Sequence, residues 1–132
     1  MNNKLIEPHN VREIWFYVKP KLEVILKKSP ENWIPEDIYS ECVNGRSMLW
    51  IGFLADKPFG FIVGQIQETN ILHIWCGYCD NNVSDKVKWT VVENIAKDLK
   101  VKKISFESWR KGWEKKAKSL GFAPRKYIKE IS

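Results

Sequence analysis

His73, Cys76 and Cys79 form an H-x-x-C-x-x-C run whose residue types suit zinc coordination or thiol redox chemistry. Either chemistry needs the three side chains to converge. Residues three apart on an extended strand point to opposite faces, so convergence requires a break in the strand, and Gly77 is the place for one. A thioredoxin-type pair would also need its C-x-x-C at a helix start after a βαβ pattern, which is absent. The run therefore reads as free structural cysteines, no metal, and a histidine set in an apolar strand. No Ser/His/Asp arrangement, P-loop or paired-carboxylate signature occurs in the chain.

The elements that position these residues follow from periodicity. Val11, Ile14, Trp15 and Val18 recur at helical spacing, Leu22, Ile25 and Leu26 continue the stripe, and Pro20 is expected to kink or split this first helix. Pro35 opens a second helix with Ile38, Tyr39, Cys42 and Val43 on its apolar face, and Asn44-Gly45 stops it. Three apolar runs follow, MLWIGFL, FGFIVGQIQ and ILHIWCGYC, separated by turns at ADKP and ETN. Near-continuous apolar runs with hairpin-length turns predict an antiparallel meander buried on both faces. Ser84 or Asp85 caps the next helix, whose long face carries Val87, Val91, Val92, Ile95, Ala96 and Leu99. A short strand at Lys103 to Glu107 then leads into a helix with Trp113, Ala117 and Leu120 on one face. Gly121 ends that helix, and a last strand runs from Pro124 to Ile131. The order predicts a single domain of the α+β or mixed α/β class, a sheet covered by helices.

Composition bounds the rest. At 132 residues, 44% of them hydrophobic, with seven Trp, the chain is long enough for one real core. It has no apolar run long enough to cross a bilayer and no signal-peptide stretch, and its three cysteines are an odd number without framework spacing, so the cytoplasm is the expected compartment. Charge is uneven: residues 1–99 are net −2 and residues 100–132 net +8, which together make the +6 of the chain. A basic end can mark a polyanion partner, but no nucleic-acid-binding motif accompanies it, so nucleic acid is the less favoured partner.

The order of elements, together with the Gly121-Phe122 helix ending and the final strand, resembles the GCN5-related N-acetyltransferase (GNAT) fold. The likeness covers nearly the whole chain except the usual first strand, for which no segment is a good candidate. The Arg110-Lys111-Gly112-Trp113 element is similar to the Arg-x-Gly-Trp of compact GNAT-like proteins of tailed bacteriophages. The resemblance implies that Ile71 to Tyr78 and Lys103 to Glu107 lie side by side and parallel, joined by the helix from about Asp85 through a right-handed crossover.

It also implies a place for acetyl-CoA. The pantetheine arm would run along the strand holding Cys76 and Tyr78. A Gln/Arg-x-x-Gly-x-Gly/Ala loop near Ser84 would then cradle the pyrophosphate on backbone N–H groups. Here Val83 takes the Gln/Arg position and Lys86 and Lys88 take the glycine positions, so a Cβ obstructs close approach where the family has none. The general acid is missing as well, since Ala117 stands at the usual Tyr and Arg110 at the usual Asn, with Ser119 and Tyr127 only loose substitutes. Glu107, at a strand end, and His73 are the candidates for the base. The expectation is thus a GNAT-like protein with a degenerate coenzyme loop, acting as a binding or assembly module that presents Lys111, Lys115 and Lys118 to a protein partner. The alternative is an active N-acetyltransferase with Lys86 and Lys88 on the phosphates.

Overall fold

The apolar runs after Ser47 become the middle of one five-stranded mixed sheet. The structure is a computed structural model and describes residues 2–28, 31–67, 70–80 and 83–106. The strands are β1 (Asn2–Ile6), β2 (Met48–Leu54), β3 (Lys57–Gln67), β4 (Ile71–Cys79) and β5 (Lys103–Phe106). The helices are α1 (Val11–Lys28), α2 (Pro35–Val43) and α3 (Asp85–Asp98). Strand order follows the sequence, with antiparallel pairing from β1 to β4 and a parallel β4–β5 pair. Ile71 faces Lys103 and Ile74 faces Phe106 in that parallel ladder, joined through α3 as expected. The Trp113 helix, the Gly121-Phe122 ending and the last strand lie outside the described residues.

Two layers of side chains hold the sheet between helices. On one face, Val11, Val18 and Leu22 of α1 and Ile38 and Cys42 of α2 bury against Leu49, Ile51, Phe61, Val63 and Cys76. On the other, Val92, Ile95 and Ala96 of α3 bury against Trp50, Leu72 and Ile74. Apolar side chains on both faces are what the unbroken apolar runs required.

Two expectations need correction. The sequence offered no first strand, yet Asn2–Ile6 pairs antiparallel with β2, Leu5 opposite Trp50. An edge strand needs only main-chain partners on one side, so Asn-Asn-Lys-Leu-Ile forms it without the β-branched pattern of a buried strand. Pro20 does not split the first helix either: α1 runs unbroken from Val11 to Lys28. Pro20 forfeits one main-chain bond and crowds the preceding turn, but Val18 and Leu22 on either side of it are fully buried, and that apolar stripe keeps both halves helical.

Both close contacts and the proline give measurable outcomes. A Cβ at Gly60 would meet the Tyr78 carbonyl oxygen at 2.5 Å and Cys79 Cα at 3.1 Å, both main chain of the neighbouring strand. At Gly52 it would meet the tip of the Phe59 ring at 2.6 Å, and a ring can tilt away. Gly60→Ala should therefore cost about 3 kcal/mol, and Gly52→Ala about 1 kcal/mol, in urea denaturation. Equal costs would mean that β3 and β4 separate as readily as one ring turns. Pro20→Ala should stabilise the protein by about 2 kcal/mol, the helix-interior penalty less the entropy that proline removes from the unfolded chain. A lower melting temperature in that variant would show that the ring contributes packing that offsets its backbone cost.

Candidate functional site

β4 carries most of the residues that the sequence singled out, and a bulge decides which way they point. Val63 of β3 pairs with Cys76 but Gly64 pairs with Ile74, so Trp75 is the extra residue. Gln65 pairs with His73, and Gln65 and Val63 share a face of β3, so the bulge brings His73 and Cys76 onto one face, the α1/α2 side. The strand interruption lies at Trp75, two residues before the Gly77 expected from sequence. Even so, no group of three His, Cys, Asp or Glu side chains is placed to hold a metal among the described residues.

His73 is half-buried and its Nδ1 lies 2.9 Å from Ser105 Oγ on β5, its partner in the parallel ladder. One strand over, Gln65 Nε2 donates to Ser47 Oγ at 2.8 Å, and Ser47 is 4% exposed. Ser47, Gln65, His73 and Ser105 thus form a polar row across four neighbouring chain segments, at the sheet end where β4 begins. Glu107, the other candidate base, lies outside the described residues. Ser105 was not foreseen, because its place beside His73 depends on a register set across the whole α3 crossover. Matching ILHI to KISF as parallel partners was the available signal.

Farther along β4 the environment changes. Cys76 is buried in the α1/α2 core, and that burial, with Cys42 and Glu31 close by, pushes its thiol well above the ordinary range. Its side chain is therefore inert packing, leaving only its main chain to meet a ligand. Trp75 stands on the same side with its ring edge-on to Trp33, 6.3 Å between centroids. The half-buried Tyr78 stacks on Phe61 at 6.1 Å, and burial, then the Asp80 carboxylate, raise its phenol. Lys21 of α1 lies 4.1 Å from the Tyr17 ring centroid and 5.5 Å from that of Tyr78. The Tyr17 hydroxyl is buried with no hydrogen-bond partner among the described residues.

The β4–α3 turn is where a phosphate cradle would lie. Ser84 is the N-cap of α3 and its Oγ accepts from Val87 N–H at 3.3 Å, while Lys88 N–H donates to Ser84 O at 3.1 Å. One amide of the first turn is thus already spent on an internal cap. Lys86 is exposed and Lys88 half-buried. Asp80 precedes the same turn, and its carbonyl accepts from Val83 N–H at 3.1 Å. A Ser84-capped turn bearing lysine side chains where the resemblance puts glycines does not fit a pyrophosphate held on open main-chain donors. The three proposed partner lysines, Lys111, Lys115 and Lys118, lie outside the described residues. No helix among the described residues is long and apolar enough to cross a membrane.

No protein-family model matches the chain, and no curated protein matches it in sequence. Solved structures do match in shape. A probable acetyltransferase aligns with a TM-score of 0.67 at 10% identity, covering 100% of this chain and 96% of its own. The ribosomal-protein-alanine N-acetyltransferase from Brucella melitensis biovar Abortus 2308 also gives a TM-score of 0.67, at 11% identity over 100% of this chain and 99% of its own. A predicted acetyltransferase with acetyl-CoA from Clostridium acetobutylicum gives 0.64 at 13% identity, over 99% and 95%. Identity this low carries fold and nothing finer. On the mixed sheet, the β4–α3–β5 crossover and these likenesses, the chain has the GNAT fold.

Proposed function

We propose that this chain is a GNAT-fold protein, of the kind tailed bacteriophages encode, that has lost the conventional coenzyme cradle and works as a binding or assembly module. The observation that carries the reading is the α3 N-terminus. Ser84 caps it from within, and Lys86 and Lys88 replace the glycines that would let an anion approach the backbone. On this reading the basic end of the chain, with Lys111, Lys115 and Lys118, meets an acidic protein surface.

The alternative is an active acetyl-CoA-dependent N-acetyltransferase with Glu107 or His73 as base. The placing of His73 in a polar row beside Ser105 favours keeping it in view.

Isothermal titration with acetyl-CoA separates the two. The expected result is no binding tighter than about 1 mM, which corresponds to about −4 kcal/mol. Should binding be tighter through charge alone, Lys86→Ala with Lys88→Ala would weaken it, and the loss would shrink at high salt. Micromolar affinity untouched by the double substitution overturns the lost-cradle reading. For the partner arm, reversing charge at Lys111, Lys115 and Lys118 should remove acidic protein partners from a pull-down at unchanged melting temperature. Retention of those partners by the triple variant removes the basic end from the interface.

A further inference from the structure

The polar row at the start of β4 holds a hydroxyl, that of Ser105, to which neither reading of the function gives a role. We infer that Ser105 and His73 form a nucleophile–base pair that accepts the acyl group of a small activated ester or thioester onto Ser105 Oγ.

With His73 in the tautomer that leaves Nδ1 free to accept, the contact is one through which the Ser105 hydroxyl gives up its proton. Ser105 Oγ and His73 Nδ1 are 2.9 Å apart, within reach for direct proton transfer. Their Cα positions are partners in the parallel β4–β5 ladder, so both side chains leave the sheet on the same face. Both residues are half-buried, neither sealed in the core nor loose in solvent. On the far side of His73, its β3 partner Gln65 is anchored to the buried Ser47, which makes that side of the row rigid.

A neighbouring feature suits an acyl substrate. The bulge puts Trp75 on the His73 side of the sheet, and Trp75 and Trp33 form an apolar wall two residues farther along β4.

The chemistry balances with water as the co-reactant. Ser105 Oγ bonds to the carbonyl carbon while His73 Nδ1 takes the hydroxyl proton. The bond from that carbon to the leaving oxygen or sulfur breaks, and the same proton returns to the departing alcohol or thiol. Water then attacks acyl-Ser105 with His73 again taking a proton, which releases the carboxylic acid and restores the serine hydroxyl. No coenzyme takes part, so the inference stands whether or not acetyl-CoA binds.

The test uses the full chain and p-nitrophenyl acetate, with nitrophenolate release followed at early times and acetylated peptides mapped by mass spectrometry. The expected result is a burst near one equivalent per chain with the acetyl group on Ser105. Ser105→Ala should abolish the burst, and His73→Gln should slow it by at least about 100-fold, the usual weight of a general base. Ser105→Cys, which keeps a nucleophile in nearly the same volume, should still be acetylated at position 105, and His73→Gln should slow that reaction too. This variant decides the matter if Ser105→Ala fails to fold. Acetyl groups confined to lysines or Cys79, or a Ser105 adduct that forms equally fast in His73→Gln, would overturn the inference.

Discussion

The described residues with candidate roles at His73, Ser84 and Ser105 hang on the parallel ladder between Ile71–Ile74 and Lys103–Phe106. A parallel pair cannot be closed by a tight turn, so the chain must cross over through α3, and α3 must bury its apolar side on the sheet to be stable. Val92, Ile95 and Ala96 do so against Leu72 and Ile74. That burial fixes both ends of the unit at once. It sets Ser105 beside His73 as the third pair of the ladder, and it sets the Ser84-capped helix start beyond the far end of β4. A change in register would displace both.

The electrostatics of the middle ground are those of a cation held by neutral rings. Burial, followed by the Asp80 carboxylate, raises the phenols of Tyr17 and Tyr78, that of Tyr17 well above the usual range. Lys21 therefore meets the negative faces of the rings and not a phenolate. The buried hydroxyl of Tyr17 gains nothing from this arrangement, since its partners in charge are too far to accept its proton. An unsatisfied hydroxyl costs about 1–3 kcal/mol, so what Tyr17 contributes to the α1/α2 core comes from ring packing against Phe61.

Much of this was legible in the residues themselves. The apolar runs gave β2 and β4 at Met48–Leu54 and Ile71–Cys79 because each is buried on both faces and bounded by turn residues. Ser84 as cap was legible for a local reason too, a hydroxyl just ahead of an apolar stripe. The misses share a different cause. β1 is an edge strand held by main-chain bonds to a segment far along the chain, which side-chain pattern does not record. The unbroken α1 reflects burial of Val18 and Leu22 overriding a local penalty at Pro20. Trp75 became a bulge with nothing in His-Ile-Trp-Cys to announce it, and only the bulge tells that His73 and Cys76 share a face. Ser105 acquired its neighbour from a register set more than thirty residues away in sequence, as the separation of 32 in that hydrogen bond records.

A helix N-terminus has a small, fixed supply of unpaired amides, and a protein can satisfy them internally or leave them for a ligand. Glycines at that position leave them open, at a cost in helix stability of about 1 kcal/mol each. This chain makes the opposite choice: Ser84 takes the Val87 amide, and lysines better suited to helix interiors stand where glycines would. At the other end of β4, by contrast, Ser105 and His73 sit half-buried in a row of polar groups within a sheet otherwise packed with Leu, Ile and Trp. Polar side chains in such a place carry a desolvation cost that apolar residues of similar size would avoid. That cost is the physical reason to look for chemistry at Ser105.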